Sequence, residues 1–544
     1  MKEKWWQKAT VYQIYPRSFK DSNGDGKGDL PGIIEKLPYL KELGVDVLWL
    51  NPVYASPMVD NGYDISDYYS INPEFGSLAD LRQLLETAHS LGLKLIMDLV
   101  VNHTSDQHPW FKEARKSKDN PYRDYYLWQP ASPDRMPNNW KSFQGTSAWT
   151  YDERTKEAYF HIFDAKQPDL NWKSPRLREE IYQMIRYWLD FGLDGFRLDA
   201  ISHLQKEAWD FKIQFWEGDG PWAPFMNVSG IEAYMADLKE IFDQYGAMTV
   251  GEASGVSSKQ APAWTDEKTG FISMIIEWEH NRRTPDNQGD VAGLIAVLKR
   301  WQEDLSERGW NALYLENHDI PRIISAFGDG SQGCAKAFAV AYSLLRGTPF
   351  IFQGQELGMT NGQFESADEI DSNSIKLAYQ DLLEKGMSEE DALTQATQWS
   401  RDHARLPMQW DCSPNAGFTT GQPWMKVNDN YKTINVQAQL ADKDSLFHLY
   451  QRLIELRHQD TVVSQGTFQA LETGQDKVFA YQRHLHDVSY LVIVNLSGED
   501  LGLDLSDLDL ADWQEVALFN RPLLLKSELT LPGYDYHVYC RSKN

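Results

Sequence analysis

Leu95-Ile-Met-Asp98-Leu-Val-Val-Asn102-His103 is the stretch of sequence that decides the fold. It is an apolar run of strand length that ends in polar side chains, and Gly195-Phe-Arg197-Leu-Asp199 repeats the pattern later in the chain. Between such runs lie segments whose apolar residues recur at i, i+3 and i+4, which is typical of helices. Alternating strands and helices predict a parallel sheet, and repetition to about eight units predicts a closed (β/α)8 TIM barrel of the α/β class.

The predicted barrel elements follow one another along most of the chain. Strands are expected at Val11–Tyr15, Val47–Leu50, Leu93–Leu99, Gly195–Leu198, Met248–Gly251, Ala312–Leu315 and Pro349–Phe352. Helices are expected at Gly32–Leu43, Leu78–Leu91, Arg178–Phe191, Ile231–Tyr245 and Ala335–Leu345. In such a barrel the carboxyl ends of the strands gather at one face, which is where catalytic side chains are found.

Three segments depart from the alternation of strands and helices. Residues 103–172 are rich in Trp, Tyr, Pro, Ser and Asn without a period, and a stretch of that length is an inserted subdomain rather than a loop. A polar, mostly helical insertion follows at about 366–400, and residues 462–544 alternate apolar and polar side chains as an antiparallel sheet does. We therefore predict a barrel made of residues 1–102 and 173–461, an inserted subdomain at 103–172 and a C-terminal antiparallel β-sandwich domain at 462–544.

The composition excludes several classes of protein. The 544 residues include 79 Asp and Glu against 53 Lys and Arg, and the net charge of −26 argues against a protein that binds nucleic acid. No apolar run approaches the roughly 20 residues that a membrane helix needs, and no signal peptide is evident, so we expect a cytoplasmic protein. The three cysteines suggest neither a disulfide framework nor a thiolate metal site. We expect a monomer.

Acidic side chains stand at the ends of four predicted strands. They are Asp98, Asp199, Glu252 and Asp319. One such acid is commonplace as a structural cap, but four, each beside His, Arg or Gly, are hard to assign to stability. Buried carboxylates that converge repel one another and must be neutralised by arginine or by protonation, and such a stored electrostatic cost marks a functional site.

Glycoside hydrolysis is the chemistry that uses several carboxylates without a metal cluster. One acid attacks the anomeric carbon as a carboxylate, and another donates a proton to the leaving oxygen. Arg197 lies two residues before Asp199, so strand alternation places both side chains on one face, where the guanidinium would hold Asp199 ionised. Glu252 has no cation nearby in sequence, so we expect its pKa to be raised, which suits an acid/base. Asp319 becomes a third acid that grips sugar hydroxyls.

These strand ends also carry a family resemblance. Asp98…Asn102-His103, Gly195-Phe-Arg197-Leu-Asp199, Gly251-Glu252 and Asn317-His318-Asp319 resemble, in order, the four signature regions of the α-amylase superfamily of glycoside hydrolases. Longer motifs are similar to the branch that contains oligo-1,6-glucosidases, dextran glucosidases and α-glucosidases: Trp5-Trp6…Tyr12-Gln-Ile-Tyr-Pro16, Asp60-Asn-Gly-Tyr63-Asp64, Gln167-Pro-Asp-Leu-Asn-Trp172 and Arg405-Leu-Pro-Met-Gln-Trp410-Asp. That branch usually reads Arg-Asp-Asn-Ala-Arg-Thr-Pro where this chain reads Arg401-Asp-His403-Ala-Arg-Leu406-Pro.

The resemblance implies a retaining mechanism through a β-glucosyl-enzyme. It assigns Asp199 as the nucleophile, Glu252 as the acid/base and Asp319 as the transition-state stabiliser. It also implies a subsite that binds the glucose unit at the non-reducing end of the substrate. To the residues of this subsite we add Phe163, as a ring that stacks on a sugar face, and Ala200, the residue after the nucleophile. These substrate-binding candidates are Asp60, Tyr63, His103, Phe163, Arg197, Ala200, His318 and Arg401. Asp60 and Arg401 would grip the terminal 4-hydroxyl and make the enzyme exo-acting, although a loop-stabilising ion pair is the alternative role for them.

A loop near the N-terminus has oxygen-bearing side chains at alternate positions. Asp21-Ser-Asn23-Gly-Asp25-Gly-Lys27-Gly-Asp29 is similar to the first part of an EF-hand loop without the distal Glu. From the residues alone, a bare turn of Asp and Gly is the alternative. The resemblance implies one structural Ca²⁺ held by Asp21, Asn23, Asp25, the Lys27 carbonyl and Asp29, and it implies no organic cofactor.

The linkage that the enzyme cleaves is predicted from the residue after the nucleophile. Members of the branch that prefer α-1,6 bonds tend to carry Val there, whereas Ala200 leaves room for an α-1,4-linked second sugar. We therefore expect an exo-acting α-glucosidase on maltose and malto-oligosaccharides. The alternatives are an oligo-1,6-glucosidase or dextran glucosidase acting on isomalto-oligosaccharides, a trehalose-6-phosphate hydrolase, which the acidic charge disfavours, and a sucrose isomerase or transglucosylase.

Overall fold

The computed structural model describes residues 4–213, 220–280, 289–516, 518 and 520–542, so the predicted domain ends at residues 1 and 544 lie outside the described residues. The chain divides into two compact units. The first unit comprises Met1–Leu48, Ser90–Leu93 and Trp278–Asn544, and the second comprises Trp49–His89 and Lys94–Glu277. The domain boundaries drawn from the sequence stay predictions.

Eight strands form the main sheet, as predicted for a (β/α)8 barrel. They are β1 (Val11–Ile14), β2 (Val47–Leu50), β3 (Lys94–Val100), β4 (Gly195–Asp199), β5 (Met248–Glu252), β6 (Met274–Ile276), β7 (Ala312–Leu313) and β8 (Thr348–Phe352). Their order is β6-β5-β4-β3-β2-β1-β8-β7, so that the last strand lies beside the first. Parallel ladders join β8 to β1, β3 to β4, β4 to β5, β5 to β6 and β7 to β8. The predicted α/β barrel is confirmed.

The main helices pack apolar residues into the core, most of them on one face, whereas Gln332–Ser343 is buried nearly all round. They span Leu30–Leu43, Leu78–Ser90, Pro175–Phe191, Ile231–Tyr245, Val291–Asp304, Gln332–Ser343 and Leu446–Gln459. Pro175–Phe191 shows the rule, because its buried residues recur at helical spacing from Leu177 through Ile181 and Ile185 to Trp188. Gly192 ends this helix in the left-handed conformation, at φ 118°, which a residue with a Cβ rarely adopts.

The second unit contains a small antiparallel sheet within the predicted insertion at 103–172. Its strands are Trp128–Pro130, Trp149–Asp152 and Glu157–Phe160, and the third of them is central. Trp140, Trp149, Phe160 and Phe225 form the apolar cluster beside it. The aromatic residues that distinguish this segment in the sequence are therefore largely its core.

The first unit contains the helical insertion and the C-terminal sheets. The insertion has two helices, Asn373–Glu384 and Glu389–Thr397. The C-terminal sheets are antiparallel: one joins Thr467–Ala470, Val478–Leu485, Val488–Asn495, Tyr536–Ser542 and Gln514–Glu515, and the other joins Leu501–Asp504 to Glu528–Leu531. Leu491 and Ile493 of the larger sheet share one core with Leu503 and Leu531 of the smaller, as in a two-layered sandwich.

Among the described residues, none of the helices combines the length and the apolar composition that crossing a bilayer requires.

Candidate active site

Arg197, in the middle of β4, holds three carboxylates of the second unit. Its Nη1 lies 2.5 Å from Asp98 Oδ1 and 2.6 Å from Asp199 Oδ1, and its Nη2 lies 2.8 Å from Glu252 Oε2. Asp98 is the direct partner of Arg197 in the β3–β4 register, and β5 flanks β4 on its other side. The predicted contact between Arg197 and Asp199 is confirmed. Three adjacent strands thus deliver one acid each to a single guanidinium.

Aromatic residues of the same unit surround this guanidinium. The centre of the Trp49 ring lies 5.4 Å from the Arg197 guanidinium carbon, and the centre of the Tyr63 ring lies 5.8 Å from it. Trp49 Nε1 donates to Asp98 Oδ2 over 2.7 Å, and Asn51 Nδ2 donates to the Tyr63 hydroxyl over 2.7 Å. Tyr63, a predicted substrate-binding residue, is therefore part of the carboxylate cluster.

In this cluster the Arg197 guanidinium contacts three carboxylates, and the pKa values reflect both these contacts and burial. Burial would lower the pKa of Arg197, but Glu252, Asp98 and Asp199 raise it well above its ordinary value, so the guanidinium stays charged. Burial raises the pKa of Asp199 well above its ordinary value, and Glu252 and Asp98 add to this effect, which Arg197 opposes. The expectation that Arg197 keeps the pKa of Asp199 low is wrong, because burial and the two neighbouring acids outweigh the guanidinium.

Ala200 turns the chain directly after β4. Its backbone is left-handed, with φ 47° and ψ 33°, and its side chain is buried. This turn aims the Ala200 N–H at Glu252 Oε2, to which it donates over 3.0 Å. Glu252, which has no cation nearby in sequence, thus accepts on one oxygen from both this N–H and Arg197 Nη2.

Gln167 joins two of the predicted substrate-binding residues. Its amide nitrogen lies 3.0 Å from Asp60 Oδ2 and 3.2 Å from His103 Nε2. Burial lowers the pKa of His103, so its ring is neutral and Nε2 accepts this hydrogen bond. The edge of the Phe163 ring meets the His103 ring with 5.0 Å between the centroids. Sequence reasoning quoted Gln167 only as part of a motif, and its partners show what it does.

The first unit contains Asp319 between three basic side chains. His318 Nε2 lies 3.1 Å from Asp319 Oδ2, Arg405 Nη2 lies 2.9 Å from Oδ1, and Arg401 Nη1 lies 3.4 Å from Oδ1. Burial would raise the pKa of Asp319, but His318, Arg405 and Arg401 outweigh burial and hold it well below its ordinary value. Asp319 is therefore a fixed negative charge at neutral pH.

Gln13 and Arg405 are site residues that sequence reasoning missed. Gln13 Nε2 lies 2.8 Å from His318 Nδ1, which therefore accepts and leaves the Nε2–H to donate to Asp319. Arg405 Nε donates to the His318 carbonyl over 3.0 Å. The signals were a buried polar residue inside an apolar strand for Gln13 and a second arginine four residues after Arg401 for Arg405.

The predicted calcium loop closes on its own backbone. Asp21 Oδ1 accepts from the N–H groups of Asn23 and Gly24, and its Oδ2 accepts from Gly26. Asn23 Oδ1 and Asp25 Oδ1 accept from N–H groups two residues further on, so carboxylate and amide oxygens alternate along the turn. Oxygen donors of this kind fit Ca²⁺.

Asp29, the last predicted ligand of the loop, has a second structural task. It is the N-cap of the helix Leu30–Leu43, where its Oδ1 accepts from the Gly32 N–H over 2.6 Å. In the part of the chain that the structure describes, no group of three or more His, Cys, Asp or Glu is already gathered to hold a metal ion. Calcium binding stays a prediction.

Comparison with known proteins shows which family this chain resembles. The model of the alpha-amylase catalytic domain matches residues 13–466. The chain is 47% identical over 508 residues to the probable oligo-1,6-glucosidase 3 of Bacillus subtilis (strain 168), covering 92% of each chain. It is 47% identical over 512 residues to the oligo-1,6-glucosidase of Parageobacillus thermoglucosidasius, covering 91% of each. The crystal structure of Bacillus licheniformis trehalose-6-phosphate hydrolase is similar with a TM-score of 0.94 and 40% identity, covering 99% of this chain and 100% of that one.

Proposed function

The chain belongs to the α-amylase family of glycoside hydrolases, and from that premise we propose that it is a retaining α-glucosidase that releases glucose from the non-reducing end of short α-glucosides. The observation that carries the proposal is the Arg197 guanidinium shared by Asp199 and Glu252. Retaining enzymes hold their two carboxyls about 5–5.5 Å apart, and two acids on adjacent nitrogens of one guanidinium support such a close pair.

Asp199 and Glu252 have different tasks in this mechanism. Asp199 attacks the anomeric carbon, and Glu252 gives its proton to the leaving oxygen, then takes one from the water that hydrolyses the glucosyl-enzyme. Arg197 and the Ala200 N–H both bind Glu252 Oε2, which leaves Oε1 to carry the proton in this proposal. In this mechanism Asp199 reacts as the carboxylate and Glu252 as the acid.

Further roles rest on the family motifs. Asp319 is proposed as the acid that grips sugar hydroxyls and stabilises the transition state, and its permanent charge suits that role. The glucose-binding candidates stay those of the motifs: Asp60, Tyr63, His103, Phe163, Arg197, Ala200, His318 and Arg401.

Isomalto-oligosaccharides are the first candidate substrates. Both relatives at 47% identity are named oligo-1,6-glucosidases, which supports α-1,6 linkages. The α-1,4 preference expected from Ala200 has no support in those names, and maltose becomes the second candidate because Ala200 is small and buried. A phosphorylated disaccharide is a weaker candidate, since the net charge of −26 opposes a phosphate group.

A substrate panel tests the proposal. We expect turnover of aryl α-glucosides and isomaltose, with α-glucose as the first product, and weaker turnover of maltose, sucrose, trehalose and trehalose 6-phosphate. Asp199→Asn should lower kcat by about 10³-fold or more, because the nucleophile is lost. Asp381→Asn is the matched control, because Asp381 is exposed and its carboxylate pairs with the exposed Lys385.

Two results would contradict the proposal. Initial release of β-glucose would exclude a retaining mechanism. Near-normal turnover by Asp199→Asn would remove Asp199 from the chemistry, whichever sugar proves to be the best substrate.

A further inference from the structure

The short segment Arg401–Arg405 contacts two different parts of the first unit. Its outer residues, Arg401 and Arg405, contact Asp319 at 3.4 Å and 2.9 Å. Its inner residues, Asp402 and His403, contact the helical insertion instead. A single turn of chain therefore touches both the insertion and the acid that we propose to grip the sugar.

Asp402 holds the start of the insertion. Its carboxylate is fully buried, and Oδ2 accepts from the backbone N–H groups of Asp371 over 2.9 Å and of Ser372 over 3.1 Å. Ser372 is the residue that precedes the helix Asn373–Glu384. Two successive N–H groups converge on one buried oxygen, so this contact fixes the backbone at the start of the first insertion helix.

His403 holds the end of the insertion. Its Nε2–H donates to the carbonyl oxygen of Thr397, the last residue of the helix Glu389–Thr397, over 2.8 Å. The His403 ring also packs against Phe364, with 5.1 Å between the ring centroids. The branch that this chain resembles usually has Asn at position 403. An Asn side chain is too short to bring a donor to the position of His403 Nε2.

Apolar burial contributes little to holding the insertion. The helix Asn373–Glu384, all of whose residues are described, has no buried side chain, and Glu389–Thr397 buries only Ala392, Ala396 and Thr397. A cleft of about 950 Å³ separates parts of the insertion, such as Trp399, from Phe364 and His403 outside it. Outside the helices, Ile370 is buried and Glu369 pairs with Lys426 at 3.0 Å. With so little apolar area of the two helices removed from water, the polar contacts of Asp402 and His403 contribute strongly to the placement of the insertion.

We propose that Asp402 and His403 are positioning residues that couple the helical insertion to Arg401 and Arg405, and so set how firmly the Asp319 centre grips the glucose unit. The inference rests on the proposed function, because it uses Asp319 and Arg401 as groups that bind the sugar. It assigns the insertion a role in binding the glucose unit itself, not only in contacting the rest of the substrate.

Paired variants of the full chain test the coupling. Asp402→Ala and His403→Ala should lower kcat/KM on an aryl α-glucoside and on isomaltose by the same factor, between about 10-fold and 10²-fold, because a misplacement of about 1 Å has effects of that size. The inhibition constant of a glucose-sized inhibitor should rise in parallel.

Conservative variants separate positioning from general destabilisation. Asp402→Asn keeps an acceptor oxygen and His403→Gln brings an amide donor to the position of Nε2, so both should recover most of the lost activity. Lys385→Ala, at an exposed pair on the first insertion helix, should leave kinetics unchanged. A fall in melting temperature without a change in inhibitor binding would overturn the proposal, and so would a loss confined to isomaltose.

One measurement needs no turnover. Hydrogen exchange of the wild type and of His403→Ala should show faster exchange at 366–400 and at 317–319 together in the variant. If the wild type hydrolyses no α-glucoside, the proposed function fails, and exchange still decides the coupling. Faster exchange in the insertion alone would overturn the coupling while leaving the proposed function intact.

Discussion

Ala200 is constrained by its backbone and, in the proposed function, by its substrate. Its φ of 47° is unfavourable for any residue with a Cβ and most unfavourable for a β-branched one. Ala200→Val should therefore lower the free energy of unfolding by about 1–3 kcal/mol, because its two added methyl groups also overpack a buried position. The added methyl groups should also lower kcat/KM on maltose relative to isomaltose by about 10–200-fold, if the side chain faces the second sugar. Denaturant unfolding and the two rate ratios measure these effects.

Ala200→Gly is the matched control for that prediction. Glycine adopts positive φ freely, so it should not be destabilised by the turn, and it adds no bulk. An unchanged ratio of maltose to isomaltose turnover in Ala200→Val would show that residue 200 does not determine the linkage.

At the residue scale, the sequence predicts contacts that depend on one strand better than those that depend on register. The pair Arg197 and Asp199 follows from alternation along β4 alone. The contact of Arg197 with Glu252 depends on how β5 aligns with β4, which the spacing in the chain does not reveal. Sequence reasoning gave the pKa of Asp199 the wrong direction because it weighed the contact with Arg197 and missed the burial of Asp199 and the nearness of Glu252 and Asp98.

Among the elements, the sequence analysis did not predict β6 or the helix that follows it, for two different reasons. Met274–Ile276 has three residues, too few for any periodicity to be recognised. The helix Val291–Asp304 does carry the signal, with Val291, Leu294, Ile295 and Leu298 buried at i, i+3, i+4 and i+7 spacing. The strand can therefore be predicted only from the expectation of eight strands in the barrel, whereas the helix can be predicted from its own apolar spacing.

The loop from Asp21 to Asp29 gives a prediction at the scale of an element. Calcium should raise the melting temperature, and a chelator should lower it, because an ion that binds only the folded state stabilises it by about 2.7 kcal/mol at 100 times its Kd. Asp25→Asn should abolish the response to calcium without lowering the melting temperature in chelator, since the Asp25 side chain accepts only a local, exposed hydrogen bond among those described.

Asp29→Ala provides the contrast within the same loop. Asp29 caps the helix Leu30–Leu43, and alanine lacks the accepting oxygen, so this replacement should lower stability with or without calcium. Identical melting curves in calcium and in chelator for the wild type would contradict the metal and leave a turn that its own hydrogen bonds stabilise.

For the whole molecule, the carboxylate cluster implies that the buried acid needed for activity lowers the stability of the fold. The folded state holds the pKa of Asp199 well above its value in the unfolded chain, so ionising Asp199 in the fold costs free energy. This cost is absent below about pH 3.9, where the group is protonated in both states, and it is complete above the folded pKa. Asp199→Asn should therefore raise the melting temperature at neutral pH while abolishing turnover, as expected when a site is arranged for function.

This gain in melting temperature should shrink as the pH falls towards 4. Asp381→Asn, on an exposed helix, should show neither the gain nor its pH dependence. A melting temperature for Asp199→Asn at or below that of the wild type at pH 7 would show that the three acids are compensated by the single guanidinium after all.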